Sequence, residues 1–135
     1  PQALEHLDGI LDAADMVMVA RGDLGLEMPL ARVPLAQKTI TRRARARKVP
    51  VILATQVLES MTTEGRPSRA EVSDAANAVD DGVDAIMLAG ETASGVHPAR
   101  AVATLDSIIR DAEKNNYRNQ VGYCSGDRPA HGTED

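Results

Sequence analysis

Three short runs of unbroken apolar residues punctuate the chain: Met16-Val17-Met18-Val19-Ala20, Val51-Ile52-Leu53-Ala54 and Ala85-Ile86-Met87-Leu88-Ala89. None alternates with polar residues, which is the pattern of a strand buried on both faces in a parallel sheet covered by helices. Their starts lie 35 and 34 residues apart, the length of a βα unit. Each run ends in Ala and then turns polar, at Arg21-Gly22-Asp23, Thr55-Gln56 and Gly90-Glu91-Thr92.

Helical periodicity fills the intervals. Leu4, Leu7 and Leu11 share one face of a helix over about Gln2 to Ala13. Val33, Ala36, Ile40 and Ala44 follow the helical repeat, with Pro34 in the first turn. Val72, Ala75, Ala76 and Val79 form a second stripe. It is opened by the capping box Ser68-Arg69-Ala70-Glu71 and stopped by Gly82. Pro98 opens a third helix, with Ala101, Leu105, Ile108, Ile109 and Ala112 along one side. From about Asn115 the chain is polar and aperiodic, a loop or disordered tail. The order α-β-α-β-α-β-α predicts an α/β fold with three parallel strands. Three strands leave two edges open, so the unit is either a small open α/β domain or part of a larger sheet.

Composition narrows the function classes. A chain of 135 residues with 43% hydrophobic and 26% charged residues is ordinary for one globular domain. It is well short of the roughly 250 residues of a complete eight-stranded βα barrel. There is no Trp or Phe and there are two Tyr, so aromatic platforms for stacking bases are lacking. The net charge of −5 also argues against nucleic acid. Arg42, Arg43, Arg45, Arg47 and Lys48 are crowded into one stretch without an acid, the pattern of a solvated helix face and its C-terminal end. No apolar run reaches the length of a membrane span and no signal-peptide pattern is present. A single cysteine, Cys124, suits a reducing compartment and excludes an internal disulfide. His6, His97 and His131 lack metal-binding spacing.

Candidate chemistry follows from position, because ligands of parallel α/β folds sit at the carboxyl ends of the strands. Asp23 is either a helix N-cap or a hard oxygen ligand for Mg²⁺. Gly22 and Gly25 are either turn residues or points of close backbone approach to an anion. Thr55 is either an N-cap or a hydroxyl that orients substrate or water. The Gly90–Gly95 segment either lines the mouth of a site or builds a strand-to-helix turn. Arg66 and Arg69 are surface charge or a subunit contact.

Four stretches carry a resemblance to a known family. They are Met18-Val19-Ala20-Arg21-Gly22-Asp23-Leu24-Gly25, Ala54-Thr55-Gln56-Val57-Leu58-Glu59-Ser60-Met61, the run from Arg66-Pro67-Ser68-Arg69 to Val79, and Ile86-Met87-Leu88-Ala89-Gly90-Glu91-Thr92. Together, in this order and at this spacing, they closely resemble pyruvate kinase, over about Leu7 to Lys114. The resemblance implies a partial (β/α)8 TIM barrel, about the last three βα units of the family's catalytic barrel. Residues 1–115 are then the C-terminal portion of that barrel and 116–135 a polar, disordered tail.

The resemblance also implies the reaction, transfer of the phosphoryl group of phosphoenolpyruvate to ADP, giving pyruvate and ATP. Asp23 looks like one of two carboxylate ligands to Mg²⁺ or Mn²⁺. The amides of Gly22 and Asp23 resemble those that hold the substrate carboxylate, and Ala20 and Arg21 belong to the same strand-end loop. Thr55 resembles the threonine that takes part in protonating the enolate. Arg69 resembles a residue at the family's subunit contact, which implies a homo-oligomer.

The family's Lys-x-Glu pattern, carrying its cationic lysine and second metal carboxylate, belongs ahead of Pro1. The K⁺ site, the lid and most ADP contacts also belong to earlier segments, and the regulatory domain to a later one. Ala89 stands where the family often has Ser. The resemblance implies a cytoplasmic glycolytic enzyme, with the isolated chain a truncated and inactive portion. The alternatives are a non-catalytic half-barrel interaction module and another metal-dependent phosphoenolpyruvate- or pyruvate-handling barrel enzyme.

Overall fold

A computed structural model describes residues 2–122, with side chains as far as 116. Three parallel strands, β1 (Val17–Ala20), β2 (Val51–Ala54) and β3 (Ala85–Met87), form one sheet in the order β1-β2-β3. Two helical segments, α1 (Gln2–Glu5) and α2 (Leu7–Ala13), precede β1 and are separated at His6. The crossover from β1 to β2 contains α3 (Arg21–Glu27) and α4 (Val33–Ala46), and that from β2 to β3 contains α5 (Arg69–Asp81). After β3 come α6 (Gly90–Ala93) and α7 (Pro98–Gly122). The α/β reading with parallel strands therefore holds, and the sheet is open.

The register explains which side chains form the core. Val19, Leu53 and Ile86 are aligned across the three strands, as are Met18, Ile52 and Ala85. The first row points at the helices: Val19 and Leu53 are buried with Leu7, Leu11, Ala44 and Ala78, and Ile86 packs against them. Met18, at 51% exposed, and Ala85, also exposed, lie on the other face. The expectation of strands buried on both faces is thus corrected for β1 and β3, whereas on that second face of β2 Ile52 is half-buried and Ala54 is buried. Successive side chains alternate across a strand, so the central strand is the best covered of the three. A second cluster, Val57, Leu58, Met61, Ala75, Ala101 and Leu105, joins the loop that follows β2 to α5 and α7.

The helix ends follow local chemistry. Ser68 caps α5: its hydroxyl accepts the Glu71 amide proton, while the Glu71 carboxylate accepts the Ser68 amide proton at 2.7 Å. Gly82 ends the helix at φ 91°. Lys48 ends α4 in the same left-handed region, at φ 58°, with the Val49 amide reaching back to the Ala44 carbonyl at 2.9 Å. The predicted α5 stripe is rotated: Ala75 and Ala78 are buried, while Val72 is 37% exposed. A thirteen-residue helix with several small residues has little volume to fix its facing, and the packing partners decide it.

The basic stretch is more than a solvated face. Arg43 and Arg47 pair with Asp8, and Arg47 also pairs with Asp12, tying α4 to α2. Arg45 donates to the Gly82 carbonyl at 2.8 Å. The expected loop from Asn115 is helical as far as Gly122. The remainder of the expected 116–135 tail, with Cys124 and His131, lies outside the described residues. Among those residues no helix is long and apolar enough to cross a membrane.

Candidate active site at the strand ends

The carboxyl ends of β1 and β2 bring together the residues singled out from sequence. Ala20 is the last residue of β1 and the N-cap of α3, so Arg21, Gly22 and Asp23 form the first turn of that helix. Asp23 is therefore not the N-cap; it is exposed, in a first turn that favours a negative side chain. The capping oxygen comes from the neighbouring strand's end. Thr55 Oγ1 accepts the Gly22 amide proton at 3.0 Å. Thr55 thus caps a helix across the sheet and not one that follows it in sequence. A Cβ at Gly22 would lie 3.5 Å from that hydroxyl, an ordinary contact, so close approach alone does not demand glycine there.

Thr55 and Gln56 are both left-handed, at φ 68° and 53°. Such a conformation costs a non-glycine residue about 1–2 kcal/mol, and a β-branched threonine adopts it rarely. Two consecutive left-handed residues turn the chain sharply at the end of β2 and are held by named contacts. One guanidinium nitrogen of Arg21 donates to the carbonyls of Thr55 (3.2 Å) and Gln56 (3.0 Å), and the other pairs with the Asp74 carboxylate on α5. With these three acceptors engaged, the Arg21 side chain is only 12% exposed.

Glu91, in the motif that sequence alone left almost uninformative, is buried at 1% exposure. Its carboxylate accepts the Leu58 amide at 3.1 Å and the Ala89 amide at 2.8 Å, joining the loops that follow β2 and β3. The signal available in sequence was an acid just after a strand end. Glu71 accepts from both the amide and the hydroxyl of Ser60. Burial would raise the Glu71 carboxyl, but the hydrogen bonds from Ser60 and Ser68 outweigh it and hold the group below its ordinary value. Arg69 is exposed at the start of α5, between the capping residues Ser68 and Glu71.

A cavity of about 810 Å³ runs along the free edge of β1, lined by Leu4, Ile10, Met18, Ala20, Asp23 and Glu27 among others. Its lining is mainly apolar, and Asp23 stands at the strand-end side. Among the described residues no three His, Cys, Asp or Glu side chains are grouped to hold a metal. One exposed carboxylate does fit a hard cation that takes one or two carboxylates together with substrate oxygens and water.

The sequence profile of the family described as pyruvate kinase, barrel domain, matches residues 1–102. The pyruvate kinase of Mycobacterium tuberculosis is 54% identical over 116 residues, which are 86% of this chain and 25% of that protein. That of Clostridium acetobutylicum is 48% identical over 122 residues, 90% of this chain and 25% of its own length. That of Thermococcus litoralis is 49% identical over 123 residues, 91% of this chain and 26% of its own length. The chain therefore spans about a quarter of the length of the curated relatives it matches.

Proposed function

We propose, because the chain belongs to the pyruvate kinase family, that its strand ends supply one side of a site that moves a phosphoryl group from phosphoenolpyruvate to ADP. The observation that carries the reading is the Thr55 hydroxyl against the Gly22 amide, one residue before Asp23. Three kinds of group that such a reaction needs stand on adjacent strand ends: a carboxylate, backbone donors and a hydroxyl.

Asp23 would hold the divalent cation, Mg²⁺ or Mn²⁺, as one carboxylate ligand. When bound, that cation supplies positive charge where the phosphoryl and enolate oxygens carry negative charge. The amides of Gly22 and Asp23 would take the substrate carboxylate. Gly22 has one proton to give, and Thr55 Oγ1 accepts it in the structure. The carboxylate would share this N–H with Thr55 Oγ1, which accepts through a lone pair and keeps its own hydroxyl proton to orient a water toward the methylene carbon. Thr55 would thereby assist protonation of the enolate from its capping position. Ala20 shapes the strand end beside them. K⁺, the ADP contacts and a homo-oligomer contact through Arg69 are parts of the same reading, drawn from the family.

The test is a chimera in which residues 1–116 replace the matching segment of the Mycobacterium tuberculosis pyruvate kinase. The chimera is expected to form pyruvate from phosphoenolpyruvate and ADP in a lactate dehydrogenase-coupled assay. Asp23→Asn should lower its kcat/KM by about 10²-fold or more, the scale for losing one positioned electrostatic group. An active chimera indifferent to Asp23→Asn would falsify the assignment. The chain by itself is expected to give no turnover.

A further inference from the structure

We propose that Arg21 is a positioning residue: its guanidinium holds the left-handed Thr55–Gln56 turn and thereby keeps the Thr55 hydroxyl on the Gly22 amide. Two consecutive left-handed residues without glycine, one of them β-branched, are not a conformation the chain keeps unaided. Both carbonyls of the turn accept from a single Arg21 nitrogen, at 3.2 and 3.0 Å. The other nitrogen is anchored on Asp74, so the fork is fixed in direction. Arginine suits the task because its planar head carries several donors in a rigid arrangement, which a lysine ammonium does not.

The geometry is reciprocal. Arg21 and Gly22 are consecutive: the side chain of one donates to the turn's carbonyls, and the backbone amide of the other donates to the turn's hydroxyl oxygen. Loss of the guanidinium lets the turn relax toward commoner backbone angles and draws Oγ1 away from the amide. In this account Arg21 acts through Thr55 and not on a ligand. Its significance for catalysis rests on the proposed role of Thr55, whereas the conformational claim does not.

The test reads the Gly22 amide by hydrogen exchange in NMR spectra of the chain. Arg21→Met removes the fork and keeps most of the stem. It is expected to accelerate Gly22 exchange about tenfold or more, because the capping bond opens locally. Gln56→Gly places a residue that accepts the left-handed region freely. In that background the same Arg21→Met change is expected to accelerate exchange by less than about threefold, the non-additivity of residues sharing one contact.

Equal acceleration in both backgrounds would reduce Arg21 to general support of the fold and overturn the proposal. An unaltered Gly22 amide in Arg21→Met would overturn it as well. Arg21→Lys, which keeps the charge toward Asp74, serves if the Met variant does not fold. It should accelerate exchange in the same direction, and silence there counts against the proposal. None of these readouts involves turnover, so failure here is separable from failure of the chimera assay.

Discussion

The hydroxyl of Thr55 lies 3.0 Å from the amide nitrogen of Gly22, joining the loop after β2 to the first turn of α3. Ala20 and Ala54, the residues that end the two strands, are partners in the parallel register. The contact therefore extends the strand pairing by one further bond, made by a side chain. Thr55→Val keeps the shape and removes the acceptor, leaving a part-buried amide unpaired. Its expected cost is about 1–3 kcal/mol in urea unfolding. Thr55→Ser keeps the oxygen and sheds the β-branch from a left-handed position, so it should lie within about 0.5 kcal/mol of the parent. A valine variant as stable as the serine variant would contradict the role assigned to the bond.

Glu91 makes the second connection between strand ends, and its two acceptors serve two different loops. Glu91→Ala strands both amides in a dry environment and is expected to lower stability by about 2–4 kcal/mol. Glu91→Gln retains one carbonyl acceptor and sets its NH₂ against the other donor, so its cost should be smaller. Denaturant midpoints of the two variants check the order. A neutral Glu91→Ala would show that water or relaxation replaces the carboxylate.

Acid should weaken the β2–α5 junction through Glu71. Its carboxyl is held below the ordinary 4.5 in the folded chain, burial opposing and the Ser60 and Ser68 hydrogen bonds prevailing. A lowered folded-state value means that the ionised form stabilises the fold above the unfolded value, and that this contribution disappears as pH falls through the folded one. Glu71→Gln should therefore flatten the fall in Tm on the acid side of 4.5. Parallel Tm profiles for parent and variant over that range would exclude Glu71 as a source of acid sensitivity.

Lys48 offers a stabilising change. It ends α4 at φ 58°, where glycine carries no Cβ penalty. Lys48→Gly is expected to add about 0.5–1 kcal/mol. Gly82 occupies the corresponding place after α5 at φ 91°, with the Arg45 guanidinium where a Cβ would stand. Gly82→Ala should cost about 1–2 kcal/mol for its backbone conformation, with loss of the Arg45 contact in addition. Thermal unfolding of the two variants tests the contrast, and shifts of the same sign would contradict it.

What could be read along the chain is what depends on near neighbours. The capping box of Ser68 and Glu71, the stop at Gly82 and the spacing of the three apolar runs involve residues a few positions apart or a regular repeat. They suffice for parallel strands with intervening helices, and the ordered motifs around Asp23, Thr55 and Glu91 suffice for the family. The facing of the strands was beyond such reading, because an unbroken apolar run does not say which of its two sides a helix will cover. Met18 and Val19 are neighbours of similar character, yet one is half-exposed and the other buried.

The tertiary structure decided the contacts that give the strand ends their shape. Arg21 meets carbonyls 34 and 35 positions away and a carboxylate 53 positions away, while Glu91 reaches an amide 33 positions away. Separations of that size carry no local signature. Hydrogen bonds are short-ranged and directional, so their partners are fixed only when the sheet has brought the loops together. The sequence by itself determined the order of elements and the kinds of group at their ends; packing determined which donor meets which acceptor.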